Sequence, residues 1–470
     1  MSEIEDVQTN AWRASVERAL ADGCQFGGAW ATSRGKNPTW RALLTSGDRS
    51  RVLSCDASAG EIESIVDLVE AAGWDEREAH DLHGLTFPGH SPMRALAAHP
   101  DDPAQWMTPV SGDGVHQVAV GPIHAGVIES GHFRFHVIGE RILAMDPRLF
   151  YKHRGLERAA EGLHVGEALT YAARACAACS VTNTVAYANA VESAHALQPD
   201  RELRTARTVL LELERLYNHL HDISAICAGV GYAPGTMALA ALKDRAQQIN
   251  MRSFGHRFLF DTVRLGGGGD AQLDATAAGA TLGDLRELRV DSASAWRELE
   301  FTSSLQARLD GIGVLGADDA RRLGAVGPAA RAAGIREDAR STSPRLAYNG
   351  FTPASLRAPT GDVASRLRLR AIELESTYDI LEELLARPFT SGGTTPVGAG
   401  STLGIGRVES PRGATICAVE LDGTRVGRLH LRTGSYANWP SLAHATADNL
   451  LPDFPLINKS FELCYACVDR

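Results

Sequence analysis

The sequence predicts an α+β protein in two parts: a small N-terminal α/β domain over residues 1–105, then a mainly helical domain over residues 106–470 with peripheral β-hairpins. Three observations carry this. The chain has 470 residues, enough for roughly two or three domains with ample core. From about Pro147 to Arg387 it is rich in Ala, Leu, Glu and Arg, with alternating apolar residues on either side of that stretch. His99-Pro-Asp-Asp-Pro103 has the character of a linker between the two parts.

In the first part a helix is expected over residues 10–21, then short strands around Trp40–Leu44 and Arg51–Leu53. Ile62, Ile65, Val66 and Val69 fall at helical spacing and predict a second helix over Ala59–Ala72. The stretch from Trp74 to His90 is polar and rich in turn residues. Val115, Val118 and Val120 lead into a Gly121-Pro122 turn, after which Phe133, Phe135 and Val137 alternate with His132, Arg134 and His136, the period of a half-buried strand. Over Arg201–His221, Leu203, Val209, Leu210, Leu213, Leu216 and Leu220 form the apolar face of a helix. Another helix starts near Gly361, with Asp362 suited to its N-terminal end. Glycine clusters at 266–269 and 392–406 read as loops, and residues 407–433 alternate about a hairpin turned at Asp422-Gly423.

A net charge of −10 gives no general attraction for nucleic acid or anionic membrane, so no nucleic-acid partner is expected. No apolar run reaches 18 residues, and the acidic N-terminus lacks the basic and apolar regions of a signal peptide, which predicts a cytoplasmic chain. Eight cysteines do not make a disulfide framework at this length. Cys24, Cys55, Cys227 and Cys417 are scattered singly and read as small buried hydrophobes. His219, His221, His256 and His444 read as structural or exposed.

The other four cysteines form two pairs, Cys176-Ala-Ala-Cys179 and Cys464-Tyr-Ala-Cys467, the second just before Arg470. A pair so near a terminus is odd as core filling, because chain ends fray unless tied down. At a helix start, exposed N–H groups favour thiolates, and Arg174 adds positive charge nearby. Four thiolates brought together suit a metal, with structural zinc as the default reading of the cysteines alone.

Several segments, in order, resemble the large subunit of the membrane-associated group 4 [NiFe]-hydrogenases, the formate hydrogenlyase type, a fused relative of the 30-kDa and 49-kDa subunits of respiratory complex I. Glu76-Arg-Glu-Ala-His-Asp-Leu-His-Gly-Leu-Thr-Phe-Pro-Gly-His90 is similar to the 30-kDa signature. Gly121-Pro-Ile-His-Ala-Gly-Val-Ile-Glu-Ser-Gly-His-Phe-Arg-Phe135, His153-Arg-Gly-Leu-Glu157, Gly361-Asp-Val363 and Val408-Glu-Ser-Pro-Arg-Gly413 are similar to the hydrogenase and 49-kDa domain. The resemblance implies that Cys176, Cys179, Cys464 and Cys467 hold a Ni–Fe centre with CO and cyanide on the iron, Cys179 and Cys467 bridging the two metals. It implies that Glu129, in the loop after His124, relays protons, and that Arg412 lies over the open metal position. Glu157, Asn183, Arg174 and Arg470 are expected around the site, with a direct Glu157–Arg470 salt bridge where relatives hold a divalent ion.

The implied activity is reversible interconversion of H2 with protons and electrons. The implied partners are an iron–sulfur small subunit bearing a [4Fe–4S] cluster and the integral membrane subunits of a complex I-like assembly on the cytoplasmic face of the membrane. The chain departs from the family pattern at Ala177, where glycine is usual, at Asn183, where histidine is usual, and at Glu462-Leu463, where Asp-Pro is usual. Asn183 can hydrogen-bond a thiolate but cannot take up a proton near neutral pH. Absence of a C-terminal extension implies either the mature form or maturation without clipping. The departures leave open an alternative, a nickel-free complex I-like subunit with quinone- or NAD-linked redox coupling.

Overall fold

The computed structural model describes residues 3–32, 38–123, 129–267, 272–388 and 392–470. The N-terminal unit is a four-stranded sheet of β1 (Glu3–Val7), β2 (Gln25–Thr32), β3 (Thr39–Ser46) and β4 (Arg49–Asp56), in the order β1-β4-β3-β2. Only the β1–β4 pair is parallel. Helix α1 (Trp12–Ala21) lays its fully buried Trp12, Val16 and Ala19 on one face, where Trp12 meets Trp40 edge-on. The other face, with Trp30, Leu43 and Val52, packs on the second domain. Both faces are therefore buried, and each large side chain so covered contributes roughly 1.5–3 kcal/mol.

The helix expected over Ala59–Ala72 does not form. Ile62 and Ile65 do enter the core, but the backbone donors around them are spent on the next segment. Ile62 N–H donates to Thr86, Ser64 N–H to Pro88, and Ile65 N–H to the Glu76 carboxylate. The helix lies instead at α2 (Gly73–His83), closed by Gly84 at φ 69°. Its buried face is Trp74, Asp75, Glu76, Glu78 and Ala79. Three buried acids hide that helix from any hydrophobic periodicity.

Strands β5 (Val115–Val120), β6 (His132–Ile138) and β7 (Arg141–Arg148) form an antiparallel sheet. Phe133, Phe135 and Val137 of β6 are buried as the alternation predicts, but His132 and His136 are buried too, so the strand is covered on both faces rather than half-buried. Short α3 (Leu156–Ala160) and α4 (Val165–Arg174) then lead to α5 (Ser180–Ala194), which is buried almost throughout. After β8 (Leu197–Pro199), α6 (Arg201–Gly229) runs down the centre, extending the expected helix. Its Asp200 cap accepts from Leu203 N–H. Around it stand α7 (Ala233–Phe254), α8 (Ala275–Phe301), α9 (Ser303–Leu309), α10 (Ala317–Arg322), α11 (Gly327–Ala332) and α12 (Val363–Leu385). Asp362 caps α12 through Ser365 N–H, as its position suggested. Part of the 266–269 glycine cluster lies outside the described residues.

The chain closes with β9 (Thr394–Pro396), the meander β10 (Leu403–Ser410), β11 (Gly413–Asp422) and β12 (Arg425–Arg432), then α13 (Gly434–Thr446), α14 (Phe454–Phe461) and α15 (Ala466–Asp469). The β11–β12 turn falls at Asp422-Gly423. The glycine stretch expected to be loop over 392–406 contains the start of a strand. A Cβ on Gly404 or Gly406 would sit 1.9 Å from the Ala190 or Ala186 carbonyl, so glycine lets β10 lie directly on α5. Strand β12 works by alternation: Leu429 and Leu431 face the helical core, while Arg428, His430 and Arg432 meet the N-terminal domain.

Candidate metal centre

The two cysteine pairs lie at two helix junctions. Cys176 and Cys179 form the turn between α4 and α5, with Cys179 at the α5 N-cap position. Cys464 and Cys467 follow the left-handed Glu462 that ends α14 and run into α15. The thiols of Cys176, Cys179 and Cys467 lie within 4.8 Å of one another, and Cys464 Sγ is 3.2 Å from Cys176 Sγ. Cys176, Cys179 and Cys467 are buried and Cys464 is half-buried. The Cys179 thiol first, then those of Cys464 and Cys467, donate toward Cys176 and hold it well below the usual thiol range. The other three are pushed well up, first because each donates toward Cys176 and then by burial.

Helix α6 holds the first pair. Glu214 accepts from Val181 N–H at 2.7 Å and from Thr182 N–H at 3.1 Å, capping the first turn of α5. Tyr217 and Asn218 both donate to the Ala178 carbonyl. Burial pushes the Glu214 carboxyl up to about 8. Glu214, Asn218 and Asp222 recur every fourth residue, so they share one face of α6. That polar stripe is the signal the apolar reading of α6 passed over.

Arg412 is 5 % exposed and fully engaged. It donates to Asn218 Oδ1 at 2.6 Å, Asp222 Oδ1 at 2.8 Å and the Glu462 carbonyl at 2.9 Å. Burial would raise the Asp222 carboxyl, but Arg412, then His219 and Arg370, pull it below its usual range. Glu129 accepts from Ala466 N–H at 2.5 Å, inside the second cysteine turn. Its carboxyl is raised first by burial and further by the charge on Cys176. His124, read with it as one loop, lies outside the described residues.

Asn183 is fully buried one turn along α5 from Cys179, and neither polar atom of its side chain has a partner among the described residues. Ala177 is exposed, so its methyl group does not crowd the sulfurs. Arg174 departs from its expected position. Its guanidinium turns outward over the Phe260 ring at 4.0 Å, with Asp261 at 3.7 Å. The cation on this turn is Arg154, which donates to the carbonyls of Arg174 and Ala175. Glu157 and Arg470 pair at 2.6 Å, and Arg470 also reaches Glu78 of α2 at 2.6 Å. Sequence reasoning missed Glu78 because its partner is nearly four hundred positions away.

The donor set fits a thiophilic metal: four sulfurs from two turns, one thiol held well below its usual range, with an unpartnered buried amide one helical turn from Cys179. Residues 39–113 match the 30 Kd subunit of the respiratory-chain NADH dehydrogenase, and residues 230–397 and 389–470 match its 49 Kd subunit. Formate hydrogenlyase subunit 5 of Escherichia coli (strain K12) is 31% identical over 449 residues, covering 88% of this chain and 78% of its own. Hydrogenase-4 component G of the same organism is 31% identical over 446 residues, covering 88% of this chain and 77% of its own. A chain of the archaeal membrane-bound sulfane sulfur reductase shares the fold, with a TM-score of 0.69 and 24% identity over 77% of this chain and 100% of that one. The molecule is an oxidoreductase subunit built from complex I-type 30-kDa and 49-kDa domains joined in one chain. It belongs to the group 4 [NiFe]-hydrogenase large-subunit family, of which the formate hydrogenlyase subunits are members. No described helix is long and apolar enough to cross a membrane.

Proposed function

We propose that this chain is the catalytic large subunit of a membrane-associated [NiFe]-hydrogenase that interconverts H2 with protons and electrons. The observation that carries this is the meeting of four thiols from two distant turns, with Cys176 and Cys464 in contact. Cys176, Cys179, Cys464 and Cys467 would hold the Ni–Fe centre, with CO and cyanide on its iron, and that centre would supply heterolytic cleavage of H2. Glu129 Oε2, half-buried with a raised carboxyl, holds and passes the proton. Arg412, fixed on three sides, keeps a guanidinium beside the sulfurs. Asn183, buried one turn along α5 from Cys179 and unpartnered among the described residues, would offer the site an amide without accepting a proton.

The other four cysteines are dispersed through the fold, so electrons leave through a partner. The partner would be a small subunit with a [4Fe–4S] cluster, seated on integral membrane subunits at the cytoplasmic face; that the relatives are named as a subunit and a component supports partners in general. A second reading, a nickel-free subunit of complex I type with a quinone site, draws on Asn183 and on the 49 Kd match. Cys464→Ala tests the first reading: H2 uptake should vanish while the circular-dichroism spectrum and melting stay near wild type. Unchanged uptake would refute it.

A further inference from the structure

After Cys467, Val468 enters the apolar core, and the last two residues are tied down by their charged side chains. Asp469 accepts from Phe150 N–H at 2.8 Å and Lys152 N–H at 2.9 Å, and its carbonyl accepts from Arg154 N–H. Arg470 is 2 % exposed, lies 4.8 Å over the Tyr436 ring and has two carboxylate partners. One is Glu157 of α3, which also accepts from Leu431 N–H and meets Arg428 at 3.1 Å. Glu157 would keep its place without Arg470. The other is Glu78, on the acidic buried face of α2 in the N-terminal domain. Its Oε2 has no partner among the described residues, so Arg470 is the cation that justifies burying it. Trp74 and Asp75 of the same helix pack on Tyr436 and Arg432, which fixes α2 against α13 and β12.

We infer that Glu78 is a positioning residue for the second cysteine pair: the N-terminal domain reaches the candidate metal centre through the Glu78–Arg470 bond. This rests on reading the four cysteines as one metal site. A buried guanidinium that loses one of two carboxylates is left partly unpaired, a costly state that the structure relieves by moving. Here the movable part is the short tail carrying Arg470, and Cys467 is three residues away. Glu78 thus orders the pair of cysteines that the α6 helix does not hold.

The chain carries its own controls. Cys55 in the N-terminal core and Cys227 and Cys417 in the helical core are buried, and burial pushes Cys55 and Cys227 up to about 12. In the metal-free full-length chain, N-ethylmaleimide labelling followed residue by residue should be at least about tenfold faster at Cys464 and Cys467 in Glu78→Gln, a small part of what breaking a buried pair costs. Labelling of Cys55, Cys227 and Cys417 should not change, and Glu78→Asp, which keeps the charge, should restore part of the protection. Wild-type labelling rates in Glu78→Gln would overturn the assignment. So would a parallel rise at Cys55, Cys227 and Cys417, which would make Glu78 a support of the whole fold. Cobalt(II) added to the same proteins should give a thiolate charge-transfer band, about tenfold weaker in affinity for Glu78→Gln. A wild-type chain with no such band would sink the metal reading, while the labelling result would still decide the role of Glu78.

Discussion

The two cysteine turns carry the same spacing and are held in opposite ways. The first is set into the helical core and fastened mainly from one helix, α6, by a buried carboxylate, a phenol and an amide that all bond to backbone, with Arg154 holding the carbonyls just before it. The second sits between a short helix and a shorter one, and its bonds come from everywhere else. They reach Ser435 of α13, Glu129 before β6, the 150–152 loop, Glu157 of α3 and Glu78 of the other domain. The contrast implies that the first pair is in place as soon as α5 and α6 pack. The second is in place only when the outlying segments have arrived, and it is the half of the site open to adjustment.

The largest effect that would sharpen this contrast comes from the second turn. Glu129→Gln keeps an acceptor for Ala466 N–H but cannot carry a proton. H2 uptake should fall by about 10²–10⁴ with metal content unchanged. Loss of metal in that variant would mean that Glu129 serves only to hold the turn. On the first turn, Asn218→Leu removes the amide that joins Ala178, Glu214 and Arg412. Ala178 keeps its bond from Tyr217 and Arg412 keeps Asp222 and Glu462, but one buried guanidinium N–H loses its acceptor, which should cost about 2 kcal/mol in denaturant unfolding. A loss well under 1 kcal/mol would break the claim that α6 fastens this turn.

Two smaller effects are read against pH. Folding raises the Glu214 carboxyl to about 8, so its contribution to stability is full below the ordinary carboxyl range and is lost as pH rises through about 8. Glu214→Gln should flatten that decline in the urea midpoint between pH 5 and 8, roughly the span from the unfolded to the folded value. An unchanged slope would remove Glu214 from the account. His83, beside the Glu78–Arg470 bond, is pushed down to about 4 by burial. Its contribution is present above the ordinary histidine range and is lost as pH falls through about 4. His83→Phe should soften the acid limb of a melting curve by a few degrees at most; a steeper limb would contradict this.

Much of this arrangement is legible in the chain. The two Cys-x-x-Cys pairs, the Glu157–Arg470 pair, the Asp362 cap and the Asp422-Gly423 turn all lie where local chemistry or family resemblance puts them. What stayed hidden was set by partners distant in sequence. Helix α2 buries Asp75, Glu76 and Glu78 because Arg432, Ser64 and Arg470 await them, and no periodicity reports that. Strand β2, Gln25-Phe-Gly-Gly-Ala-Trp-Ala-Thr32, carries a glycine that allows Arg432 to approach: a Cβ on Gly28 would lie 2.3 Å from its side chain. Sequence adjacency and the family pattern put Arg174 near the thiols, but the turn of α4 carries its guanidinium away to Phe260. In Gly404 and Gly406 a loop composition turned out to be a packing device.

The central claim is that the four sulfurs hold nickel and iron together. Elemental analysis of the chain purified without oxygen from its native complex, with infrared spectra of the same sample, tests it most directly. About one nickel and one iron per chain, with bands of CO and cyanide, is the result the four thiols lead us to expect. Zinc alone, or no metal at all, would contradict it.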